Sequence, residues 1–140
     1  MSRRKSREQA FIFLFQNSFT KEDIDKIAET AKMAEDTKID DFTIELFRGV
    51  VKNREKIHLY IERNLRGWKI NRISRVAMAI MEISVYEMLF EKSVPVEVSI
   101  NEAVELAKKY GNKDESAYIN GVLGSINKEI IKERQSLEGN

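Results

Sequence analysis

The sequence predicts an all-α fold, a compact helical bundle of about seven helices in two packed lobes. Apolar residues recur at helical spacing throughout, and no segment keeps the alternation of apolar and polar residues that marks a half-buried strand. A chain of 140 residues, 42% hydrophobic and with one proline, also fits a single domain with a real core. We therefore expect one domain over residues 1–140, with lobe one at about residues 1–64 and lobe two at about residues 65–135.

Three helices are predicted for the first lobe. The first spans about residues 2–19, and Thr20 is a suitable N-cap for a second, with Asp23 three residues later. The second carries a narrow apolar stripe, formed by Ile24, Ile27, Ala28 and Ala31. The third is predicted from Asp40 or Asp41 to about Asn64, because its apolar residues recur near one helical face, namely Phe42, Leu46, Phe47, Val50, Val51, Ile57 and Ile61.

A connector and a very apolar helix open the second lobe. Gly67 marks the break after the third helix, and the apolar residues that follow are typical of an irregular connector or a short helix: Leu65, Trp68, Ile70 and Ile73. The helix predicted from Ser74 to Glu91 has apolar residues on every side. That distribution indicates a central helix surrounded by the others.

Two further helices are expected near the C-terminus. Pro95 suits the first turn of one, and Gly111 is placed to end it. The other is predicted over residues 116–131, although Asn120 and Gly121 are locally a hairpin signal. Gly121 and Gly124 lie three residues apart, so their missing side chains suggest close approach of another helix, and the polar tail after Lys132 is expected to be frayed.

Positive charge is concentrated at the N-terminus. Arg3, Arg4, Lys5 and Arg7 account for four of the 24 basic residues, so the rest of the chain has 20 basic residues against 23 acidic ones. Such asymmetry points to nucleic acid or an anionic surface. The alternative is that these charges only keep the chain soluble, but cations at the start of a helix oppose its dipole, which suggests an anionic partner that offsets the effect.

Several function classes are disfavoured by what the sequence lacks. His58 is the only histidine and there is no cysteine, so two-histidine zinc sites, thiol nucleophiles and disulfides are excluded. No glycine-rich phosphate loop occurs either. We expect no enzyme activity, no cofactor, no metal and no membrane contact, and the absence of cysteine suits the cytoplasm.

Aromatic residues next to the basic segment favour RNA as the polyanion. Single-stranded RNA is commonly held by cations on its backbone and by rings that stack on its bases. Phe11, Phe13 and Phe15 cannot share one helical face, so at least one ring is a candidate for the surface. The alternative is that Phe11 and Phe15, four residues apart, both belong to the core.

Residues along nearly the whole chain resemble the NusB family of bacterial antitermination factors. The resemblance rests on segments at 3–10, 65–68, 72–74 and 86–87, and most specifically on the block PVEVSINEAVELAK at 95–108, followed by YINGVL at 118–123. It implies an all-helical two-lobed protein that is not an enzyme. It further implies binding to the boxA element of ribosomal RNA transcripts together with the ribosomal protein NusE, within an antitermination complex with RNA polymerase.

The same resemblance implies site residues. Phosphate contacts fall on the basic residues of the first helix, and RNA contacts also fall on two aromatic positions, giving the set Arg3, Arg4, Lys5, Arg7, Phe15 and Tyr118. Phe15 stands where the family often has tyrosine, and Tyr118 is placed to reach RNA or NusE. Two departures are visible, since Ala77 and Glu82 replace the acidic residue and the arginine that the family usually has there. We expect both to alter the partner-facing surface.

Two alternatives remain open at this level. The chain could be a helical protein-interaction module or a self-associating dimer without a direct RNA role, its basic residues serving solubility or being hidden in a homodimer. NusB-like domains also precede the catalytic domain of some ribosomal RNA methyltransferases. We expect the free-standing factor, since the chain ends at Asn140 and has no cysteine nucleophile.

Overall fold

The computed structural model describes residues 2–20, 39–65, 67 and 69–138, together with Lys26 and Glu29. Within these ranges it contains no strand, which agrees with the predicted all-α class. Its elements are α1 (Arg3–Thr20), α2 (Asp41–Lys52), α3 (Arg54–Arg63), a short 3-10 helix (Ile70–Arg72), α4 (Arg75–Phe90), α5 (Val96–Tyr110) and α6 (Lys113–Glu138). The predicted second helix, after Thr20, and Trp68 lie outside the described residues.

Side-chain caps explain why the first helices begin where they do. The hydroxyl of Ser2 accepts a hydrogen bond from the backbone N–H of Lys5 at 3.2 Å, so Ser2 caps α1 one residue before its first turn. Asp40 does the same for α2 by accepting from the N–H of Thr43 at 2.9 Å. Both helices therefore start at the positions that the sequence predicted.

The single helix predicted from Asp40 or Asp41 to Asn64 is wrong, because the structure breaks it at Asn53. Asn53 leaves the helical region, with φ −109° and ψ 16°, and ends α2. Its side-chain Nδ2 donates to the carbonyl of Gly49 at 2.8 Å. A side-chain amide that hydrogen-bonds the preceding turn offers the backbone an alternative to the continuous helix, so α3 restarts at Arg54.

Helix α4 lies at the centre of the bundle, as its composition predicted. Its residues from Ala79 to Met88 are all buried, including the polar side chains of Glu82, Ser84 and Glu87. Ser74 caps it by accepting from the N–H of Ala77 at 3.0 Å. Buried carboxylates in a surrounded helix require partners from the neighbouring helices, and Arg7 of α1 and Arg54 of α3 supply them.

Helix α2 approaches α4 closely at one glycine. A Cβ atom added to Gly49 would lie well inside van der Waals contact of the Tyr86 ring. The opposite holds for Gly121 and Gly124, where an added Cβ would meet nothing within 4 Å. The close helix approach predicted for those two residues is therefore wrong, because both lie on an open face of α6.

The last two helices differ from the prediction in their limits. Pro95 is the N-cap of α5 rather than a member of its first turn, while Gly111 ends the helix as predicted. Helix α6 begins at Lys113, three residues before the predicted start, because the side chain of Asn112 accepts from the N–H of Glu115 at 2.8 Å.

The predicted fraying after Lys132 is also wrong, since α6 continues to Glu138. Two tertiary contacts hold this part of the helix. The hydroxyl of Tyr60 on α3 donates to Glu133 at 2.5 Å, and Arg134 donates to the carbonyl of Met88 on α4 at 3.1 Å. The polar tail is therefore helical to Glu138, and its first turn is hydrogen-bonded to α3 and α4.

The residue numbers of contacting pairs show the relative directions of the helices. Arg7 meets Glu87 and Ser18 meets Arg75, so α1 and α4 run in opposite directions. Arg4 meets Glu102 and Glu8 meets Lys109, so α5 runs parallel to α1.

Among the described residues, no helix combines the length and apolar composition that crossing a bilayer needs. The division at residues 64 and 65 into two lobes stays a prediction.

Candidate nucleic-acid interface

Three basic side chains extend into solvent from the first turn of α1. Arg3, Arg4 and Lys5 are exposed, and this turn contains no acidic residue. The guanidinium of Arg3 lies 3.8 Å from the centre of the Phe42 ring, a cation–π contact that places it beside α2. An anion approaching this end of α1 would meet both the cations and the positive end of the helix dipole.

Arg7 is placed differently, because its side chain points into the bundle. Its Nε donates to Glu87 at 3.0 Å and its Nη2 donates to the same carboxylate at 2.9 Å. The hydroxyl of Ser99 also donates to Glu87, and Ser84 hydrogen-bonds Ser99. With 6% of the Arg7 side chain exposed, this network argues against the predicted phosphate contact by Arg7.

Two ion pairs cross between α1 and α5. Nε and Nη2 of Arg4 donate to Glu102, each at 3.0 Å, and Nζ of Lys109 donates to Glu8 at 2.6 Å. The hydrogen bond to Glu102 raises the pKa of Arg4, and the one from Lys109 holds the pKa of Glu8 below its usual range. We call this line of contacts, which continues to Phe11 and Tyr110, the α1–α5 seam.

A row of aromatic rings continues the seam along α1. Phe11 packs on Tyr110 with ring centres 4.8 Å apart and on Phe15 at 6.1 Å, and Phe15 meets Phe19 edge to face at 4.9 Å. Phe11 is fully buried, Phe15 is half-buried, and Phe19 is 59% exposed. Exposure of the row therefore increases towards the end of α1, where Arg75 lies 4.4 Å from the Phe19 ring centre.

Tyr118 lines a surface cleft of about 400 Å³ where α4 and α6 begin. Arg72, Ser74, Ala77 and Asn112 are among the other residues of the cleft. Burial raises the pKa of the Tyr118 hydroxyl. Asn112 follows Tyr110 by two residues, so the cleft opens just beyond the end of the α1–α5 seam.

The structure thus brings most of the predicted residues into one line. Arg3, Arg4 and Lys5 lie at its beginning, Phe15 packs along its middle through Phe11, and the cleft of Tyr118 lies past its end. Arg7 is the exception, because it turns towards α4. The line has positive charge at one end and aromatic surface further along, which suits a polyanion with bases.

The two departures from the family pattern have different surroundings. Ala77 is buried and lines the cleft of Tyr118. Glu82 is also buried, and it accepts hydrogen bonds from Arg54 at 2.9 Å and from His58 at 2.7 Å. Glu82 is therefore paired within the bundle, because Arg54 of α3 supplies a cation and His58 of α3 a second hydrogen-bond partner. The effect of Glu82 on the partner-facing surface stays a prediction.

Several residues of the seam were missed by sequence reasoning. Lys109 and Tyr110 received no site role, and Glu8 and Glu102 were used only as members of the family segments at 3–10 and 95–108. The Lys108-Lys109-Tyr110 run was a usable signal, since cations next to a ring are typical of RNA contacts. Within the described ranges, no three His, Cys, Asp or Glu side chains come together in a way that would hold a metal ion.

Comparison with known proteins identifies the family of this chain. The model of the NusB family matches residues 4–128. The transcription antitermination protein NusB of Clostridium novyi (strain NT) is 41% identical over 130 residues, which cover 90% of this chain and 98% of that protein. NusB of Clostridium botulinum (strain Loch Maree / Type A3) is 39% identical over 140 residues, with 90% and 99% covered.

Solved structures give the same result. A structure of T. maritima NusB superposes with a TM-score of 0.81 at 37% identity and covers 92% of both chains. A chain from the complex of antitermination factors NusB and NusE with dsRNA has a TM-score of 0.81 at 25% identity, covering 91% of this chain and 96% of that one. The chain described here belongs to the NusB family.

Proposed function

We propose that this protein is a transcription antitermination factor that binds boxA RNA of ribosomal RNA transcripts together with NusE, as part of an antitermination complex with RNA polymerase. The observation that carries the proposal is the line of exposed cations Arg3, Arg4 and Lys5 leading into the α1–α5 seam. Its NusB relatives carry the name of this function, and one structural neighbour was solved with NusE and RNA. A bacterial transcript places the activity in the cytoplasm, which suits a chain without cysteine.

Each part of the site has a distinct task in this proposal. Arg3, Arg4 and Lys5 contact phosphates, which supplies most of the affinity and none of the sequence preference. The half-buried rings of Phe15 and Tyr118 offer edges or faces to one or two bases. Arg7 contacts no phosphate; it holds the first turns of α1 against α4 so that its three neighbours are presented in a defined arrangement.

NusE is assigned to the surface of the second lobe beside the cleft of Tyr118. This cleft is lined by Arg72, Ala77 and Asp114, which combine both charges with an apolar position. Exposed Phe19, close to Arg75, adds apolar surface at the end of α1. Because RNA at the seam and a protein at the cleft would be neighbours, each is expected to increase the affinity for the other.

The test is a titration with boxA RNA and NusE, added separately and then together. We expect tighter binding when both are present, and log affinity for single-stranded RNA should fall with log salt at a slope of about −2, since three exposed cations neutralise three phosphates. Replacing Arg4 and Lys5 with Gln should weaken binding and flatten the slope. The control replaces the exposed Lys52 and Lys132 with Gln.

Two results would contradict the proposal. One is an RNA affinity that does not change with salt, and the other is equal weakening by the control pair. Because a structural neighbour was solved with dsRNA, the titration should include boxA RNA as a duplex. Tighter binding of the duplex would replace single-stranded RNA by double-stranded RNA as the ligand.

The competing function is a protein-interaction module or a homodimer without a direct RNA role. Sedimentation with and without boxA RNA separates the two. A complex that contains RNA and NusE supports the proposed function. Self-association that RNA leaves unchanged, with no RNA in the sedimenting species, would favour the alternative.

A further inference from the structure

The solvent-facing cations of the α1–α5 seam are matched to carboxylates of the facing helix. Arg4 of α1 is paired with Glu102 of α5, and Lys109 of α5 is paired with Glu8 of α1. Each helix contributes one cation and one carboxylate to the two pairs, so the four side chains together carry no net charge. Arg3 and Lys5 lie outside these pairs, and both are exposed.

The Arg4–Glu102 pair is asymmetric in its exposure. The Arg4 side chain is 68% exposed, while that of Glu102 is 13% exposed and is held against the body of the bundle. A phosphate can therefore reach the guanidinium from solvent, but it must arrive beside a fixed carboxylate. Both anions need the same N–H donors, and the displaced carboxylate would remain close to the phosphate.

We propose that Glu102 is an internal counterion of the RNA site, a residue that lowers the affinity of Arg4 for phosphate whatever the RNA sequence. This inference rests on the proposed function, because it concerns the same site. Its consequence is a low sequence-independent affinity, so that base contacts account for a larger share of the total binding free energy. Glu8 acts in the same way on Lys109, more weakly because its pair lies further from the basic turn.

The test compares Glu102→Gln with Glu105→Gln, which removes an equal charge one turn later on α5. Glu105 contacts Lys108 of its own helix at 3.5 Å, and it acts on Arg4 only through its charge, whereas Glu102 also accepts the hydrogen bonds of Arg4. Fluorescence anisotropy would follow binding of boxA RNA and of polyuridylate of equal length at one salt concentration. We expect Glu102→Gln to tighten binding of both RNAs by the same factor, about two- to fivefold, which is the range of exposed ion pairs, and to exceed Glu105→Gln.

A second comparison shows whether the effect passes through Arg4. In an Arg4→Gln background, Glu102→Gln should tighten binding no more than Glu105→Gln does. Weaker binding by Glu102→Gln would overturn the inference, since Glu102 would then orient Arg4 for RNA. An effect equal to that of Glu105→Gln, or a gain that persists without Arg4, would also overturn it.

The two proposals fail in different ways. The proposed function fails if the wild type binds boxA RNA no better than polyuridylate and NusE does not increase the affinity. In that case the effect of Glu102→Gln can still be measured with polyuridylate. If the wild type prefers boxA RNA but the two Gln variants behave alike, only the counterion role fails. Binding of neither RNA by the wild type overturns both, and urea unfolding of each variant confirms that the fold is retained.

Discussion

Arg7 on α1 and Glu87 on α4 form a two-pronged ion pair that is almost completely removed from solvent. Nη2 of Arg7 lies 2.9 Å from the carboxylate, and the two side chains are 6% and 1% exposed. Burial of both charges is tolerated because the carboxylate also accepts a hydrogen bond from Ser99. This pair divides the four N-terminal cations into one that anchors α1 and three that face solvent.

Removing Arg7 should therefore destabilise the fold. Arg7→Met keeps a similar length but leaves Glu87 buried without a cation, and the expected loss is about 3–5 kcal/mol of unfolding free energy. Urea unfolding followed by circular dichroism measures it. Arg4→Met, at an exposed position, should leave the urea midpoint nearly unchanged, and Arg7→Met/Glu87→Met should recover much of the loss. Equal midpoints for the Arg7 and Arg4 variants would contradict the anchoring role.

Glycine substitutions should separate the packed glycine from the open one. Gly49→Ala places a methyl group against the Tyr86 ring, and overpacking of this kind costs about 1–3 kcal/mol. Gly121→Ala meets no neighbour and removes backbone freedom from the unfolded chain, so it should stabilise the protein by roughly 0.5–1 kcal/mol. Thermal unfolding of both variants checks the opposite signs, and a stabilising Gly49→Ala would show that α2 and α4 can separate there.

Stability should fall as the pH rises through the acidic side of neutrality. The hydrogen bond with Glu45, together with burial and the Glu45 charge, raises the pKa of Glu91 to about 7. Between the ordinary carboxyl pKa near 4.5 and this value, the folded state keeps a proton that the unfolded state releases. The folded state is therefore favoured below this window and loses that advantage as pH rises through it.

Urea midpoints at pH 5 and pH 7.5 would measure this effect. We expect the wild-type midpoint to be lower at pH 7.5, and the difference to shrink in Glu45→Gln, where the carboxylate pair is gone. The lowered pKa of Glu8 has the opposite sign but acts below its ordinary range, outside this comparison. A midpoint that rises between the two pH values would contradict the raised pKa of Glu91.

Replacing Glu82 with arginine, the residue that the family resemblance leads us to expect at this position, should destabilise the protein. Glu82→Arg would put a second cation beside Arg54 in a buried position, and breaking a buried pair costs about 3–5 kcal/mol. Exchanging the charges with Arg54→Glu/Glu82→Arg should recover part of the stability. The urea midpoints of the single and double variants decide this, and full stability of Glu82→Arg alone would show that the pocket is more hydrated than its burial indicates.

Helix limits could be predicted where a local signal was sufficient. Ser74 and Gly111 bound their helices as expected, because capping depends on residues within a few positions of the helix end. The break at Asn53 was missed, since an asparagine within an amphipathic pattern is compatible with a continuous helix. The ordered end of α6 was missed because Tyr60, its partner for Glu133, lies 73 residues earlier in the chain.

The sequence contained a signal that the Arg7 side chain points into the bundle, but counting charges did not use it. Arg7 precedes Ala10, Phe11 and Leu14 by three, four and seven positions, so it extends their buried stripe by one turn. What the pattern did not contain was Glu87, the distant carboxylate that makes this burial possible. Likewise, the sequence does not show that Glu102 pairs with Arg4, because that contact requires α5 to lie beside α1.

Helical class, the basic N-terminus and membership of the NusB family all follow from properties carried within short segments of the chain, such as periodicity, charge and motif. Which of the four cations is available to RNA, and which carboxylate competes for it, required the packed bundle. The physical reason is that a side chain's charge belongs to the residue, whereas its burial and its ion-pair partner belong to helices that meet across about 80–100 residues of sequence.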